Sequence, residues 1–466
     1  MRSRTTLILA AVFIALLAVV LIFEDRSFKK GEVAEKAAAL VDIPSEDLVK
    51  IELRTGGAAL AFEKDGQGDW RLTAPLEAMA DSYEVGNLAD SFSSLRIQRI
   101  VEMEATDLAR YEIPTREVSL WVKDREEPVR ILVGMENPID NSLFAKREDD
   151  PRVVLLAGHL KSTLEKELFD FRRKDIFRFE TGEVKTVRVR ADGVAWEASL
   201  QEGGWTLSSP VKALASKSKV EGLLDSLSSL RAKEFVSEDK KAEDLKTFGL
   251  ERPVYEAALS LPASGEDIVF SFHKDGETLY AATSRSNKII AFEGTLRADL
   301  ERKVDEIREK KVADFNSWEA FKVSVRKGAF SLTAVKEKDG DEEKWALDTP
   351  DKDAANRYKV EDFVRRVERL EAVAFVDNPG TLARHGLEPP EAEIRIWTRE
   401  GAGKEEEGVW FLGREDTEKN QVAVKGPGLD YLFVVDAAFL QEFPKDAADW
   451  KAEPPQEPDA AAEIKK

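Results

Sequence analysis

The sequence predicts an α+β fold: one N-terminal transmembrane helix followed by three tandem repeats of antiparallel sheet with packed helices. Three observations lead to this fold class. A W-x-L-x-x-P motif occurs three times, a helical apolar stripe follows each copy at a fixed distance, and short strand-like runs surround both. The copies are WRLTAP, WTLSSP and WALDTP, at Trp70–Pro75, Trp205–Pro210 and Trp345–Pro350.

One helix is predicted after each motif. Its first apolar residue comes fifteen residues after the tryptophan, and four more follow at steps of three, one, three and three. This spacing puts all five side chains on one face of a helix. They are Val85, Leu88, Ala89, Phe92 and Leu95 in the first copy, Val220, Leu223, Leu224, Leu227 and Leu230 in the second, and Val360, Phe363, Val364, Val367 and Leu370 in the third.

Each repeat reads as three strands, one helix, a turn, four strands and a terminal helix. The strand-like runs are joined by short polar turns, which favours antiparallel meanders with helices packed on one face. Large aromatic residues on such a face belong to the core more often than to a sugar-binding platform. We therefore expect the motif tryptophans Trp70, Trp205 and Trp345 to be buried.

A second motif, FGLERP at Phe248–Pro253, recurs as HGLEPP at His385–Pro390. The first repeat has YEIPTR at Tyr111–Arg116, with Glu112 at the position of the glycine. A ligand-binding glycine would not be expected to become glutamate in one repeat. We interpret the motif as a helical turn that ends at a residue with left-handed backbone conformation.

The N-terminal stretch Thr5–Phe23 is apolar throughout and is long enough for one membrane crossing. Arg2 and Arg4 precede it, and no small-residue cleavage site follows it. These features predict an uncleaved signal anchor. The expected location is a bacterial inner (cytoplasmic) membrane, crossed once, with the bulk of the chain extracytoplasmic.

The predicted domains are an anchor at 1–30, repeat units at 31–180, 181–315 and 316–450, and a disordered tail at 451–466. The tail is rich in Pro, Ala and charged residues. Basic clusters lie near both boundaries between repeats, and they either form a docking surface or are solvated cations at helix C-termini. The second interpretation is the commoner one. The clusters are Arg172, Arg173 and Lys174, and Arg308, Lys310 and Lys311.

The composition restricts the chemistry. Asp and Glu number 90 against 70 Lys and Arg, a net charge of −20, so no nucleic-acid partner is expected. Cysteine is absent, which excludes disulfides, thiol catalysis and cysteine-ligated metals. The histidines His159, His273 and His385 are isolated, and no nucleophile motif occurs. We therefore assign no catalytic, cofactor-binding or metal-binding residue, expect no cofactor, and do not expect an enzyme.

The N-terminal apolar span, the repeated W-x-L-x-x-P motif, the helical stripe and the GLERP and GLEPP turns resemble a bacterial family of uncharacterised domains. Its members are encoded beside gliding-motility-type ABC transport systems. The resemblance covers most of the chain and is weaker at YEIPTR. It implies a non-enzymatic, membrane-anchored, extracytoplasmic accessory protein. The implied partners are the ABC transporter permease and ATPase and a second membrane-anchored auxiliary protein, reached through protein–protein contacts.

Two other functions stay open. The protein is alternatively an extracytoplasmic module that binds polysaccharide or cell wall, for which exposed aromatic rings in a groove are the distinguishing feature. The second alternative is a hydrolase of such polymers, which requires two facing carboxylates in a cleft.

Overall fold

The computed structural model describes residues 39–263, 265–339, 342–400 and 404–453. The chain divides into two compact units, Met1–Ile176 and Phe177–Lys466. The first unit contains one repeat, named repeat 1, and the second unit contains repeats 2 and 3. The prediction of three internal repeats is therefore confirmed.

Repeat 1 has nine strands and three helices among its described residues. They are β1 Leu48–Thr55, β2 Ala58–Lys64, β3 Trp70–Ala74, β4 Ala78–Met79, α1 Ser82–Ser93, β5 Arg99–Glu102, β6 Arg116–Val122, β7 Val129–Glu136, β8 Leu143–Arg147, β9 Val153–Leu156, α2 Leu160–Leu164 and α3 Leu168–Phe171.

Repeat 2 follows the same order with one additional short helix. Its elements are β10 Thr186–Ala191, β11 Val194–Gln201, β12 Gly204–Ser209, β13 Ala213–Leu214, α4 Lys217–Ser228, β14 Glu234–Ser237, α5 Ala242–Thr247, β15 Tyr255–Leu261, β16 Glu266–Asp275, β17 Thr278–Thr283, β18 Ile289–Phe292, α6 Leu296–Leu300 and α7 Val304–Ile307.

Repeat 3 closes with 3₁₀ turns at Ala437–Glu442 and Ala447–Asp449 where the other repeats have short helices. Its elements are β19 Ala320–Lys327, β20 Phe330–Asp339, β21 Glu342–Thr349, β22 Asp353–Ala354, α8 Arg357–Glu368, β23 Ala374–Val376, β24 Ala392–Glu400, β25 Lys404–Leu412, β26 Gln421–Lys425 and β27 Leu432–Asp436.

All three sheets have the same antiparallel topology. In repeat 1 the strand order is β4-β3-β2-β1-β6-β7-β8-β9-β5, and repeats 2 and 3 follow it. Strands β1 and β2 therefore lie inside the sheet, and β1 pairs with β6 across it. The chain leaves the sheet at β4, passes through helix α1 and returns at the opposite edge as β5, which pairs with β9.

The stripe helices α1, α4 and α8 bury the first four apolar residues of each predicted stripe, and each helix ends two residues before the fifth. In repeat 1, Val85, Leu88 and Phe92 are fully buried in the same core as the sheet residues. The helix begins after Asp81, whose side chain accepts hydrogen bonds from the backbone N–H groups of residues 83 and 84. Helix α8 begins in the same way after Asn356. The helix predictions are therefore confirmed.

The motif tryptophans are buried, as predicted. Trp70, Trp205 and Trp345 are 7%, 3% and 5% exposed. Lys64 lies over the Trp70 ring and Lys336 over the Trp345 ring, each 5.2 Å from the ring centroid. These contacts combine burial with cation–π attraction, so the rings of Trp70 and Trp345 are part of the packed structure.

The interpretation of the second motif as a turn is also confirmed. Glu112, Gly249 and Gly386 all have left-handed backbone conformation, with φ of 53°, 70° and 67°. At Gly249 a Cβ atom would lie 2.3 Å from the ring of His273. Glycine is thus required there by a close contact as well as by its backbone conformation.

Two predictions about the fold are wrong. Strands contain about 42% of the residues and helices about 21%. Three nine-stranded sheets therefore define the architecture. The predicted α+β class overestimates the contribution of the helices. The sequence pattern predicts seven strands per repeat. It missed the two-residue edge strands such as β4, which are too short for a pattern, and the strands such as β5 that follow the helix.

The other wrong prediction is that of a protein that crosses the membrane once. No helix in the described ranges is both long enough and apolar enough to span a membrane, which contradicts the predicted membrane location. The predicted span at residues 5–23 lies outside the described residues, as does most of the predicted tail at 451–466.

Replacing Trp205 with alanine is expected to lower the free energy of unfolding by about 3–5 kcal/mol, because it empties a buried aromatic site. Urea unfolding of the full chain, followed by circular dichroism, measures the change. Trp318→Ala is the control: Trp318 is 74% exposed, and its removal should change stability by no more than about 0.5 kcal/mol. Equal unfolding curves for the two variants would contradict the buried role of Trp205.

Gly249→Ala is expected to destabilise the protein more than Gly276→Ala. Both glycines have left-handed conformation, but a Cβ at Gly276 would meet nothing within 4 Å. Gly276→Ala therefore carries only the backbone cost of about 1–2 kcal/mol. Adding His273→Ala to Gly249→Ala should remove the excess, because the clashing ring is gone. Thermal unfolding of the single and double variants provides the measurement, and a purely additive double variant would contradict the steric explanation.

Candidate functional site

The second unit contains a cleft of about 1140 Å³ between repeats 2 and 3. The wall from repeat 2 includes Trp205 on β12, the first turn of α4 and Arg308 after α7. The wall from repeat 3 includes Ile396 on β24 and Trp410 on β25. A cleft between two packed repeats is a common place for a binding site.

Arg308 joins the two walls. Its side chain is fully buried, and Nη1 lies 2.9 Å from Oδ1 of Asp377 in repeat 3. The guanidinium carbon lies 3.7 Å from the ring centroid of Phe375 and 4.6 Å from that of Tyr431. Nε and Nη2 have no hydrogen-bond partner among the described residues. A planar cation is suited to this position because it can contact aromatic faces and a carboxylate at once.

This burial corrects the interpretation of the basic clusters. Arg308 is 1% exposed and Arg172 in repeat 1 is 3% exposed, which contradicts the commoner interpretation of solvated cations at helix C-termini. Lys310 and Lys311, which belong to the same cluster as Arg308, are exposed at the cleft. The cluster thus divides into one packed arginine and two accessible lysines.

Two aromatic side chains strengthen the join. Trp410 donates a hydrogen bond from Nε1 to the carbonyl oxygen of Val312, at 2.9 Å, and so fastens the segment between the repeats to repeat 3. Burial raises the pKa of the Tyr431 hydroxyl, although the nearby Arg308 guanidinium acts in the opposite direction. The tyrosine is therefore neutral at physiological pH and serves as a packing surface for Arg308.

Charges of both signs line the cleft. The ion pair between Lys217 and Glu221, with 4.0 Å between Nζ and Oε1, lies on the first turns of α4. Such alternation does not suit a polyanion, and it suits a partner that carries both charges and hydrogen-bonding groups. The charged lining residues are Lys217, Lys219, Arg302, Arg308, Lys310 and Lys311, with Glu221, Glu306, Glu309, Asp314, Glu371, Glu406 and Glu407.

The three histidines do not come together. His159 is exposed just before α2, His273 packs against Gly249, and His385 places Nε2 3.1 Å from the carbonyl oxygen of Pro379. None of them lines the cleft. Within the described ranges, no group of three or more His, Cys, Asp or Glu side chains is arranged to hold a metal ion.

The family model described as "Domain of unknown function (DUF4340)" matches the chain three times, at residues 70–206, 205–379 and 345–462. The chain belongs to the DUF4340 family. Each match of the DUF4340 model begins at a motif tryptophan, so the model and the sequence motif identify the same repeat. No curated protein matches the chain significantly.

Two solved structures show a weak likeness to this DUF4340 protein. One is a DNA polymerase sliding clamp from Pseudomonas aeruginosa with ligand, at 7% identity and a TM-score of 0.16, covering 86% of this chain and 94% of that chain. The other is the DNA polymerase III subunit beta from the same organism, at 8% identity and a TM-score of 0.14, covering 86% and 95%. Scores this low carry no argument about fold or function.

Arg308→Ala is expected to destabilise the second unit by about 2 kcal/mol or more, because it removes a desolvated cation–π contact and an ion pair. Arg308→Lys should fall between the parent and Arg308→Ala, since lysine keeps the charge but not the planar contact. Urea unfolding measures the loss. Lys310→Ala, at the exposed neighbour, is the control and should change stability by about 0.5 kcal/mol at most. An Arg308→Ala curve like that of the control would contradict the joining role.

Proposed function

We propose that this DUF4340 protein is a non-catalytic accessory protein of an ABC-type transport system and acts by binding partner proteins. The observation that carries the proposal is the cleft between repeats 2 and 3. Its volume of about 1140 Å³ is larger than the usual 300–1,000 Å³ of small-molecule pockets. Its lining of acidic and basic side chains matches a polypeptide, which offers both charges and backbone hydrogen-bonding groups.

The charged lining of the cleft favours a protein segment over an apolar ligand. Lys310 and Lys311 present ammonium groups from the segment between the repeats. Glu407 lies on β25 across from them, 3.2 Å from the guanidinium of Arg395. Accessible charges at the rim of an interface control the rate and selectivity of association more than its final affinity. This is the behaviour expected of an adaptor that exchanges partners.

The class of partner comes from the family resemblance. The motifs of this sequence resemble a family whose members are encoded beside gliding-motility-type ABC transport systems, and such a system supplies a permease, an ATPase and a second auxiliary protein. We propose that a segment of one of these proteins occupies the cleft.

The polysaccharide-binding alternative is less well supported. A sugar-binding groove presents exposed aromatic faces, but Trp205 and Trp410 lie buried in the cleft walls at 3% and 5% exposure. The exposed rings Tyr83, Trp318 and Tyr358 are not among the residues that line the cleft. A hydrolase acting through two cleft carboxylates is a separate alternative, and a direct activity assay addresses it.

A photo-crosslinking residue at Lys310 of the full chain, expressed in the cells that make the protein, should capture the permease, the ATPase or the auxiliary protein. The same residue at Trp318, which is exposed outside the cleft, should not. Mass spectrometry identifies the captured protein. Equal capture from both positions would contradict the cleft as the binding site.

Glu407→Lys should weaken the capture from Lys310, because it reverses a charge on the cleft wall. Glu405→Lys is the matched control: Glu405 precedes the lining residues on the same strand and forms its own ion pair with Arg399 at 3.0 Å. Hydrolysis of a cell-wall polymer by the purified protein, lost in Glu407→Gln, would replace the accessory function with an enzymatic one.

A further inference from the structure

The contact between repeats 2 and 3 joins two unlike faces. We define the trailing face of a repeat by its motif tryptophan, the residues just before its stripe helix and the basic residue at its end; in repeat 2 these are Trp205, Ala215 and Arg308. We define the leading face by the strand after the stripe helix and the residue that follows that strand; in repeat 3 it carries Phe375 on β23 and Asp377 directly after it. Arg308 contacts both residues of the leading face.

The trailing face of repeat 3 is open. A cavity of about 780 Å³ lies there, lined by Trp345, Ala355 and Arg357 among others. The bridge between Ala355 and Lys451 matches the bridge between Ala215 and Arg308, so Lys451 occupies the position of the buried arginine. The Lys451 side chain is 53% exposed, where that of Arg308 is 0% exposed. The position that is covered in repeat 2 is therefore accessible in repeat 3.

Repeat 1 presents an accessible leading face. Ile100 pairs with Val154 on β9 as Phe375 pairs with Phe433 on β27, so Ile100 is the counterpart of Phe375. Glu102 follows two residues later, as Asp377 follows Phe375. Ile100 is 40% exposed and the neighbouring Met103 is 65% exposed. These values leave an apolar patch beside a carboxylate.

The two open faces are chemically complementary. Within the chain, a planar guanidinium lies over the aromatic ring of Phe375 and pairs with a carboxylate. On the open faces, Lys451 has an exposed aliphatic stem and an ammonium group that pairs with Asp353, and Ile100 lies near the carboxylate of Glu102, which accepts a hydrogen bond from the Tyr111 hydroxyl. A lysine stem packs on aliphatic side chains while its ammonium group pairs with an acid. Compared with the contact between repeats 2 and 3, lysine replaces arginine and isoleucine replaces phenylalanine. The two new side chains are still chemically complementary.

We propose that the trailing face of repeat 3 binds the leading face of repeat 1 of a second copy of this chain. The contact is heterologous, so it joins copies head to tail. The same arrangement that places repeat 3 on repeat 2 within one chain thus continues between chains. This self-association is independent of the partner proposed for the cleft between repeats 2 and 3.

Site-directed crosslinking tests the contact, and the absence of cysteine from the full chain makes every product assignable. Full-length Ile100→Cys and Lys451→Cys are mixed and treated with a short bismaleimide. The expected product contains one copy of each variant and is lost when Tyr83→Cys replaces Ile100→Cys. Tyr83 is an accessible residue of repeat 1 at 74% exposure, on helix α1 and not on the leading-face strand β5. Equal yields from the two mixtures would overturn the proposal.

Charge reversal provides an independent test by sedimentation velocity. Glu102→Lys and Lys451→Glu should each weaken self-association by about tenfold or more, because like charges then face each other. The double variant Glu102→Lys/Lys451→Glu should recover it, since the pair is restored in the opposite sense. Circular dichroism of all three variants establishes that they are folded. A parent chain that stays monomeric at every concentration, or a double variant no better than the singles, would overturn the proposal.

Discussion

Each nine-stranded sheet has an apolar face to bury, and the one long helix of each repeat has only twelve residues. Twelve residues of helix span about 18 Å, whereas nine strands extend about 38 Å across the sheet. The stripe helix therefore cannot cover the sheet alone. The segment after the last strand covers the rest, and in repeat 1 it contributes Leu160, Leu164 and Phe171 to the core of the stripe helix.

This closing segment also determines where the basic residues lie. Its last core residue accepts a backbone hydrogen bond from the residue that precedes the stripe helix. The donors and acceptors are Asp81 and Phe171, Ser216 and Ile307, and Asn356 and Trp450. The next residue along the chain is Arg172, Arg308 or Lys451. Because the closing segment packs in the core, one basic side chain per repeat lies at the equivalent position. This position is at the edge of the repeat, where a neighbour can bind.

The parts of this architecture that depend on local sequence could be predicted. The W-x-L-x-x-P motif, the helical stripe and the left-handed turn each involve a few neighbouring residues, and even Glu112 has the conformation expected of the glycine it replaces. Strand β5 was missed because it is held by pairing with β9, which is distant in sequence. The role of Arg308 was missed for the same reason: its partners belong to another repeat, with Phe375 on β23 and Tyr431 immediately before β27. A run of basic residues beside a helix end resembles a solvated surface until that neighbour is known.

The position of β1 and β2 inside the sheet affects how the protein can be divided. The family matches begin at Trp70, Trp205 and Trp345, which is the first or second residue of the third strand in repeats 1 and 2 and falls within it in repeat 3. A fragment cut at residues 205–379 loses β10 and β11, the strands that join β12 to β15, and gains β19 without its partner β24. The segments that match the family model therefore have different boundaries from the repeats that close a sheet. The unit that is recognisable by its sequence is a circular shift of the unit that closes a hydrophobic core.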